Sequence, residues 1–250
     1  MFQDLKNAKK IHTAYIEVFD GEFVNDASFV FHAGCKFLKI PVVKFEHLEY
    51  GKLSFTKDDI VFGGVITMKR AINALTGLKI ENFDIPECLK DYCKRDVRIS
   101  TIRQELEGWT KPIFIKPTTA KLFPGQIVSC KEELDIFKHM DDDKKEDLEI
   151  FVSEVIKIKS EFRVFVLNGQ AIDCRQYRGY FQNIIDFGVI DKIIKDFEGQ
   201  PVAYSIDLGL TEDGETVLVE INDSYSLGPY GLDPYHYTSM IISRWLELMG

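Results

Sequence analysis

The chain has 250 residues, 45% of them hydrophobic, and a formal net charge of −9, enough for a sizeable core in one large domain or two small ones. The charge argues against general nucleic-acid or membrane-surface binding, although a local basic groove stays open, and no apolar run approaches the roughly 18–20 residues of a membrane span. Cys35, Cys88, Cys93, Cys130 and Cys174 include no Cys-x-x-Cys pair and MFQDLKNAKK lacks the apolar core of a secretory signal, so reduced thiols and a cytoplasmic location are expected.

In chain order, His12 to Phe19 alternates as a strand and stops at the Asp20-Gly21 turn. Asp26 to Leu38 predicts a helix capped at Asn25 or Asp26. Pro41 to Glu46 and Asp59 to Val65 are short β-branched runs that suit buried strands. Thr67 offers an N-cap for MKRAINAL, with Gly77 as its stop. This order predicts a small sheet with covering helices. Gly63-Gly64 lacks the rest of any glycine fingerprint and reads as a tight strand-to-helix turn. Asp84 to Lys94 predicts a helix with Pro86 in its first turn. Arg95, Arg98 and Arg103 follow, either along a surface edge or reaching into a cleft.

Lys111 to Pro117 predicts a strand with Lys116 at its exit, a compact cation on a long stem suited to a polyphosphate. Pro117 prevents the strand from continuing, and the loop TTAKLFPGQ adds Lys121 and a single glycine, Gly125. Lys131 to His139 predicts a short amphipathic helix, and Asp141 to Asp147 a solvated connector. Ile150 to Ile156 and Glu161 to Val166 read as strands. In the second, Glu161 and Arg163 share one face, with Phe162, Val164 and Val166 on the other. Asn168-Gly169 signals a hairpin. Counting outward sets Arg163 opposite Cys174, with Gln176 and Arg178 further along the same face. Arg163 and Arg178 then converge on one cleft, where guanidinium forks fit phosphate or carboxylate oxygens.

Ala203 to Leu232 predicts two strands and a loop of small and aromatic residues. With Asp213-Gly214 as a two-residue turn, Glu212 pairs with Glu215 and Asp207 lies opposite Glu220. Val217, Val219 and Ile221 take one face of the second strand; Leu218, Glu220 and Asn222 take the other. The polar face gathers Asp207, Glu220 and Asn222. Opposed carboxylates repel and call for a cation, and this oxygen donor set suits Mg²⁺. A solvated outer face of an antiparallel sheet is the alternative. SYSLGPYG follows as a loop of small residues, and Asp233 to Met249 predicts a helix with Pro234 in its first turn, packed behind the sheet.

An Asp on one strand, a hairpin, then Glu-x-Asn on the next (Asp207 and Glu220-Ile221-Asn222) resembles the metal-binding signature of the ATP-grasp superfamily. NDSYSLG from Asn222 and YRGY from Tyr177 are similar to one clade of it, named for one Arg and two Lys. The resemblance implies an α/β (α+β) ATP-grasp fold. Two α+β subdomains, 109–155 and 156–250, would grip ATP, preceded by a small α/β domain over 1–108 that supplies part of the acceptor site. It implies ATP phosphates at Lys116 and Lys121, the adenine side at Glu154, the ribose at Glu161, and Mg²⁺ at Asp207, Glu220 and Asn222. Many such ligases carry a basic residue just before the metal-binding Asp. Here that place reads Tyr204-Ser205-Ile206, so charge stabilisation falls to Arg163 or Arg178.

The implied activity joins a carboxylate to an amine through an acyl phosphate, with release of ADP and phosphate. The substrates would be small-molecule or peptide carboxylates and amines. The oligomeric state stays open, a homodimer among the options. A phosphotransferase that stops at the phosphorylated product, or a module that binds nucleotide without turnover, would use the same residues.

Overall fold

The computed structural model of the chain describes residues 7–80, 84–118, 122–137 and 148–250. Strand β1 (Ala14–Phe19) turns at Asp20-Gly21 into the short β2 (Glu22–Phe23) and pairs in parallel with β3 (Val42–Glu46) and β4 (Ile60–Phe62). Helix α1 (Asp26–Leu38) begins where its sequence predicts, because Asn25 caps it by accepting from the Ser28 N–H at 2.9 Å. Helix α2 (Val65–Thr76) starts earlier than its sequence predicts, from Gly64 rather than Thr67. The reason is Glu17. Its Oε2 accepts from the Gly64 N–H at 2.9 Å, and its Oε1 accepts from the Thr67 hydroxyl at 2.9 Å. A Cβ at Gly63 would lie 2.3 Å from Glu17 Oε2, which accounts for a glycine at that position of the tight turn.

The helix expected over Asp84–Lys94 is instead a backbone bridge from Asp84 to Ile221 and a 3₁₀ turn, Glu87–Cys93. The Ile221 N–H donates to the Asp84 carbonyl at 2.7 Å and pins the segment before a helical turn can form. Next comes an antiparallel sheet in the order β5 (Val97–Thr101), β8 (Glu149–Glu154), β6 (Ile113–Pro117), β7 (Gln126–Val128). Helices α3 (Ile102–Glu107) and α4 (Lys131–Ile136) cover it through Ile102, Leu106 and Leu134 against Ile115 and Val152. Because β5 pairs with β8 along its whole length, a division at residue 108 cuts through this sheet. Lys121 and the stretch 141–147 lie outside the described residues.

The third sheet is antiparallel in the order β10 (Gln170–Arg178), β9 (Ile158–Leu167), β11 (Ala203–Thr211), β12 (Thr216–Asp223). One face buries Val164, Val166, Ile206, Leu218 and Ile221 beneath helix α5 (Phe187–Asp196). The other face packs Phe165, Leu167 and Ala203 against helix α6 (Pro234–Met249), which also packs on α1. Glu161, Arg163, Asp207 and Glu220 occupy the remaining end of that face. No helix among the described residues is long and apolar enough to cross a membrane.

Both hairpins depart from the simple count. Asn168 (φ 53°) and Gly169 (φ 70°) form the two-residue turn expected of them. A bulge between Ala171 and Asp173 then sets Arg163 opposite Arg175 rather than Cys174, and a second one past Gln176 sets Arg178 opposite Glu161. Each bulge adds one residue to one strand and shifts all later partners. In the last hairpin the turn is longer by one: Gly214 N–H donates to Thr211 O at 3.1 Å and Thr211 N–H to Glu215 O at 2.9 Å. A bulge at Val219 restores the count, so Asp207 does face Glu220. The bulge also turns Leu218 into the core beside Ile221, away from the polar face expected for it.

Candidate functional site

Two cavities meet on this polar end. The first, about 690 Å³, lies between the second and third sheets, with Phe114, Phe151, Val155 and Ile156 among its apolar walls and Glu154, Glu161 and Arg178 among its polar ones. The second, also about 690 Å³, reaches Arg163, Asn222, Ser226 and Leu227. Lys116, Gly125 and Glu220 border both.

The shared wall is a connected set of charges. Lys116 leaves strand β6 with its Nζ donating to Glu220 Oε2 at 3.0 Å and paired with Asp84 Oδ1 at 2.7 Å. Burial opposes the Lys116 charge, but Glu220 and Asp84 outweigh it and raise its pKa. Burial likewise opposes the Glu220 charge, and Lys116 and Asn222 outweigh it and hold the carboxyl below its usual range. Asn222 Nδ2 donates to Glu220 Oε1 at 3.0 Å and to Asp207 Oδ2 at 3.3 Å.

Behind this wall, Arg163 grips Asp207 with both arms of its fork: Nε donates to Oδ1 at 2.8 Å and the second terminal nitrogen to Oδ2 at 2.7 Å. Its guanidinium lies 4.6 Å from the Tyr230 ring centre, and Tyr230 stacks on Tyr177 at 4.7 Å. Asp207 is only 2% exposed. Burial pushes its carboxyl up to about 6 against the pull of Arg163, with Glu220 and Glu161 adding to the push. The cation that two opposed carboxylates call for is thus present in the chain itself, as Arg163 and Lys116.

The expected site residues divide between these places. Lys116, Glu220 and Asn222 come together at the shared wall. Arg163 borders the second cavity, whereas Arg178 borders the first and donates to Glu161 Oε1 at 2.6 Å. The two arginines that the simple hairpin count brings to one cleft therefore border different cavities, with Arg178 set opposite Glu161 by the two bulges and engaged by that carboxylate. Asp207 borders neither cavity, since the Arg163 fork occupies both its oxygens. Glu154 borders the first cavity, bonded to Lys111 and accepting from the Asp96 N–H at 3.0 Å.

Sequence reasoning missed Asp84 and undervalued Arg95. Arg95 donates to the Leu218 carbonyl at 2.8 Å and to Ser153 Oγ at 3.4 Å, tying the two sheets together beside the first cavity. Nothing in the local pattern around Asp84 marks it, because its partners Lys116 and Ile221 are distant in sequence. Arg98 stays on the edge with Asp96 and Glu105.

Among the described residues, no three or more His, Cys, Asp or Glu side chains gather as a metal group. The candidate donors are two carboxylates and a carboxamide. Glu220 and Asn222 border the second cavity with hard oxygens of the kind Mg²⁺ takes. Asp207 stands behind them with its oxygens engaged.

The chain matches, over residues 92–240, the model of an ATP-grasp domain family, the second family of the clade named for one Arg and two Lys. No curated protein matches it. Among solved structures it is similar to D-alanine–D-alanine ligase from Bacillus anthracis complexed with ATP, with 16% identity and a TM-score of 0.57 over 96% of this chain and 98% of that one. A RimK domain ATP-grasp protein from Sphaerobacter thermophilus DSM 20745 is 14% identical with a TM-score of 0.56, covering 92% of this chain and 99% of that one. N5-carboxyaminoimidazole synthetase from Staphylococcus aureus is 12% identical with a TM-score of 0.55, covering 94% and 77%.

Proposed function

Because the chain belongs to the second family of the one-Arg, two-Lys clade of ATP-grasp domains and has the ATP-grasp fold, we propose that it is an ATP- and Mg²⁺-dependent carboxylate–amine ligase of the cytoplasm. The observation that carries this reading is the pair of cavities joined at Lys116 and Glu220. A nucleotide in the first cavity would set its adenine among Phe114, Phe151, Val155 and Ile156, with Glu154 at that end. Its ribose would lie at Glu161 beside Arg178, and its phosphates at Lys116. The acid to be activated would occupy the second cavity, on the far side of the same lysine. Reactants held on either side of one cation are positioned for transfer, which removes much of the entropic barrier.

Glu220 and Asn222 would hold Mg²⁺, and Asp207 would reach it only by giving up part of its contact with Arg163. Bound there, Mg²⁺ spreads the charge of the transferring phosphoryl group. An oxygen of the acid attacks the γ-phosphorus as the bond to the bridging oxygen breaks, releasing ADP and leaving an acyl phosphate. Lys116 neutralises phosphate oxygens throughout. The amine nitrogen then attacks the acyl carbon, phosphate leaves, and the amine sheds its proton. Arg163, at the wall of the second cavity, faces the oxyanion of that step.

Titration calorimetry with Mg-ATP should give saturable binding, and ADP release should rise with a matched acid and amine together. No heat and no thermal shift at millimolar Mg-ATP would sink the nucleotide site. ADP release with a stable phosphorylated acid and no amide would make the protein a phosphotransferase. Binding without ADP release from any pair would make it a nucleotide-binding module.

A further inference from the structure

The second cavity limits which acid can enter it, given the reading above that the activated carboxylate binds there. Among its described residues the cation for a carboxylate is Arg163, since the three N–H donors of Lys116 are shared between Glu220, Asp84 and, in the reading above, the nucleotide phosphates. Two nitrogens of the Arg163 fork are taken by Asp207, while Nη1 makes one long contact, 3.4 Å to the Gly228 carbonyl. This leaves N–H capacity at the cavity wall for an incoming oxygen.

Among the described residues of this cavity, no unpaired carboxylate awaits an ammonium. Every carboxylate among the described residues of that wall already has a cation: Asp84 at 2.7 Å and Glu220 at 3.0 Å from Lys116, and Asp223 at 2.7 Å from Arg244. Asp223 is held by Arg244 through both oxygens, and burial shields it from water. Helix α2 reaches the same cavity at Val65, and at its N-terminus the Glu17 carboxylate accepts from the Gly64 N–H and the Thr67 hydroxyl. Among the described residues, the rest of the wall holds no charge: Asn222, Tyr225 and Ser226 are neutral polar groups, and Val65, Leu122, Phe123 and Leu227 are apolar. A zwitterionic amino acid would bring its ammonium out of water to face hydrocarbon, a few neutral polar groups and carboxylates that are already paired, which is unfavourable for a charge. An acid without that ammonium meets the guanidinium at one end and apolar surface at the other.

We infer that this cavity accepts a carboxylic acid with an apolar body and no ammonium on the carbon next to the carboxylate. Aryl-alkyl and aliphatic acids, and amino acids whose amine is already acylated, share that chemistry. Free α-amino acids are excluded as the activated acid.

The test uses the full chain saturated with Mg²⁺ and a non-hydrolysable ATP analogue. Hydrocinnamate, N-acetyl-L-phenylalanine and L-phenylalanine, which share one ring and chain length, are titrated in turn by calorimetry. Hydrocinnamate and the acetylated acid should bind, and L-phenylalanine should bind more than about tenfold more weakly, the scale on which a pocket separates closely matched ligands. Leu122 is 53% exposed at the cavity rim, so Leu122→Asp can supply a carboxylate without disturbing the core. That variant should narrow the gap by strengthening L-phenylalanine and weakening hydrocinnamate. L-phenylalanine binding as tightly as hydrocinnamate would overturn the inference, as would failure of all three acids while the nucleotide analogue binds. Failure of the nucleotide analogue itself would instead remove the ligase reading on which the inference rests.

Discussion

Between Asp84 and Glu220, the Lys116 ammonium balances two carboxylates and borders both cavities. Lys116→Ala should weaken Mg-ATP binding by about 1.5–3 kcal/mol, the range for a hydrogen bond to a charged group. Calorimetry measures this directly, and an unchanged affinity would remove Lys116 from the phosphate site. Asp207 poses a different question. Opposed carboxylates in a hairpin predict a repulsion of about 0.2–1 kcal/mol, but here Arg163 and Lys116 offset it, and burial is the larger influence. Burial pushes the Asp207 carboxyl up to about 6, above an unfolded value of about 3.9. A raised carboxyl favours the protonated form in the fold. Its stabilising contribution is therefore complete below about pH 4 and lost as pH rises through about 6. Relative to Asp207→Asn, which cannot titrate, wild-type stability should fall across that window, whatever the constant offset between the two. Urea denaturation at several pH values gives the slope, and a flat difference would contradict a buried, titrating Asp207.

At the level of elements, the last hairpin reaches the predicted pairing by a route its sequence does not announce. A two-residue turn would put both Asp213 and Gly214 at positive φ. Only Gly214 is there, at φ 86°, and a Cβ added to it would touch nothing within 4 Å. Gly214→Ala should therefore cost about 1–2 kcal/mol from backbone strain alone. Asp213→Ala should stay within about 0.5 kcal/mol, as for an ordinary surface change. Comparable losses in chemical denaturation would mean the shorter turn. The extra turn residue and the bulge at Val219 cancel in register, which keeps Glu220 opposite Asp207 while moving Leu218 into the core. In the β9–β10 hairpin the two bulges add up to a shift of two positions, which keeps Arg178 on the Arg163 face but sets it opposite Glu161, to which it donates.

Across the whole molecule, helix α6 ties the end of the chain to its beginning. It shares one core with α1 and the first sheet, where Phe31, Phe62, Tyr237 and Trp245 are buried together. The helices approach so closely at Gly34 that a Cβ there would lie 2.0 Å from Thr238 Oγ1 and 2.2 Å from the Pro234 carbonyl. Gly34→Ala should cost about 1–3 kcal/mol by overpacking, visible as a lowered melting temperature, and an unchanged melt would mean the helices are not so close. The sequence by itself determined most of the local elements and several of the charged side chains that meet at the shared wall. Alternation placed Glu161 and Arg163 on the face opposite Phe162 and Val164, turn residues marked both hairpins, and Pro117 marked the strand exit at which Lys116 stands. These features rest on periodicity and on residues within a few positions of each other. Only the tertiary structure decided that Asp84 joins Lys116, that Arg95 ties the two sheets together, that Asp207 turns to Arg163, and that Arg163 and Arg178 part company. Those outcomes depend on bulges and on partners up to 137 positions away, as with Asp84 and Ile221, which no local pattern encodes.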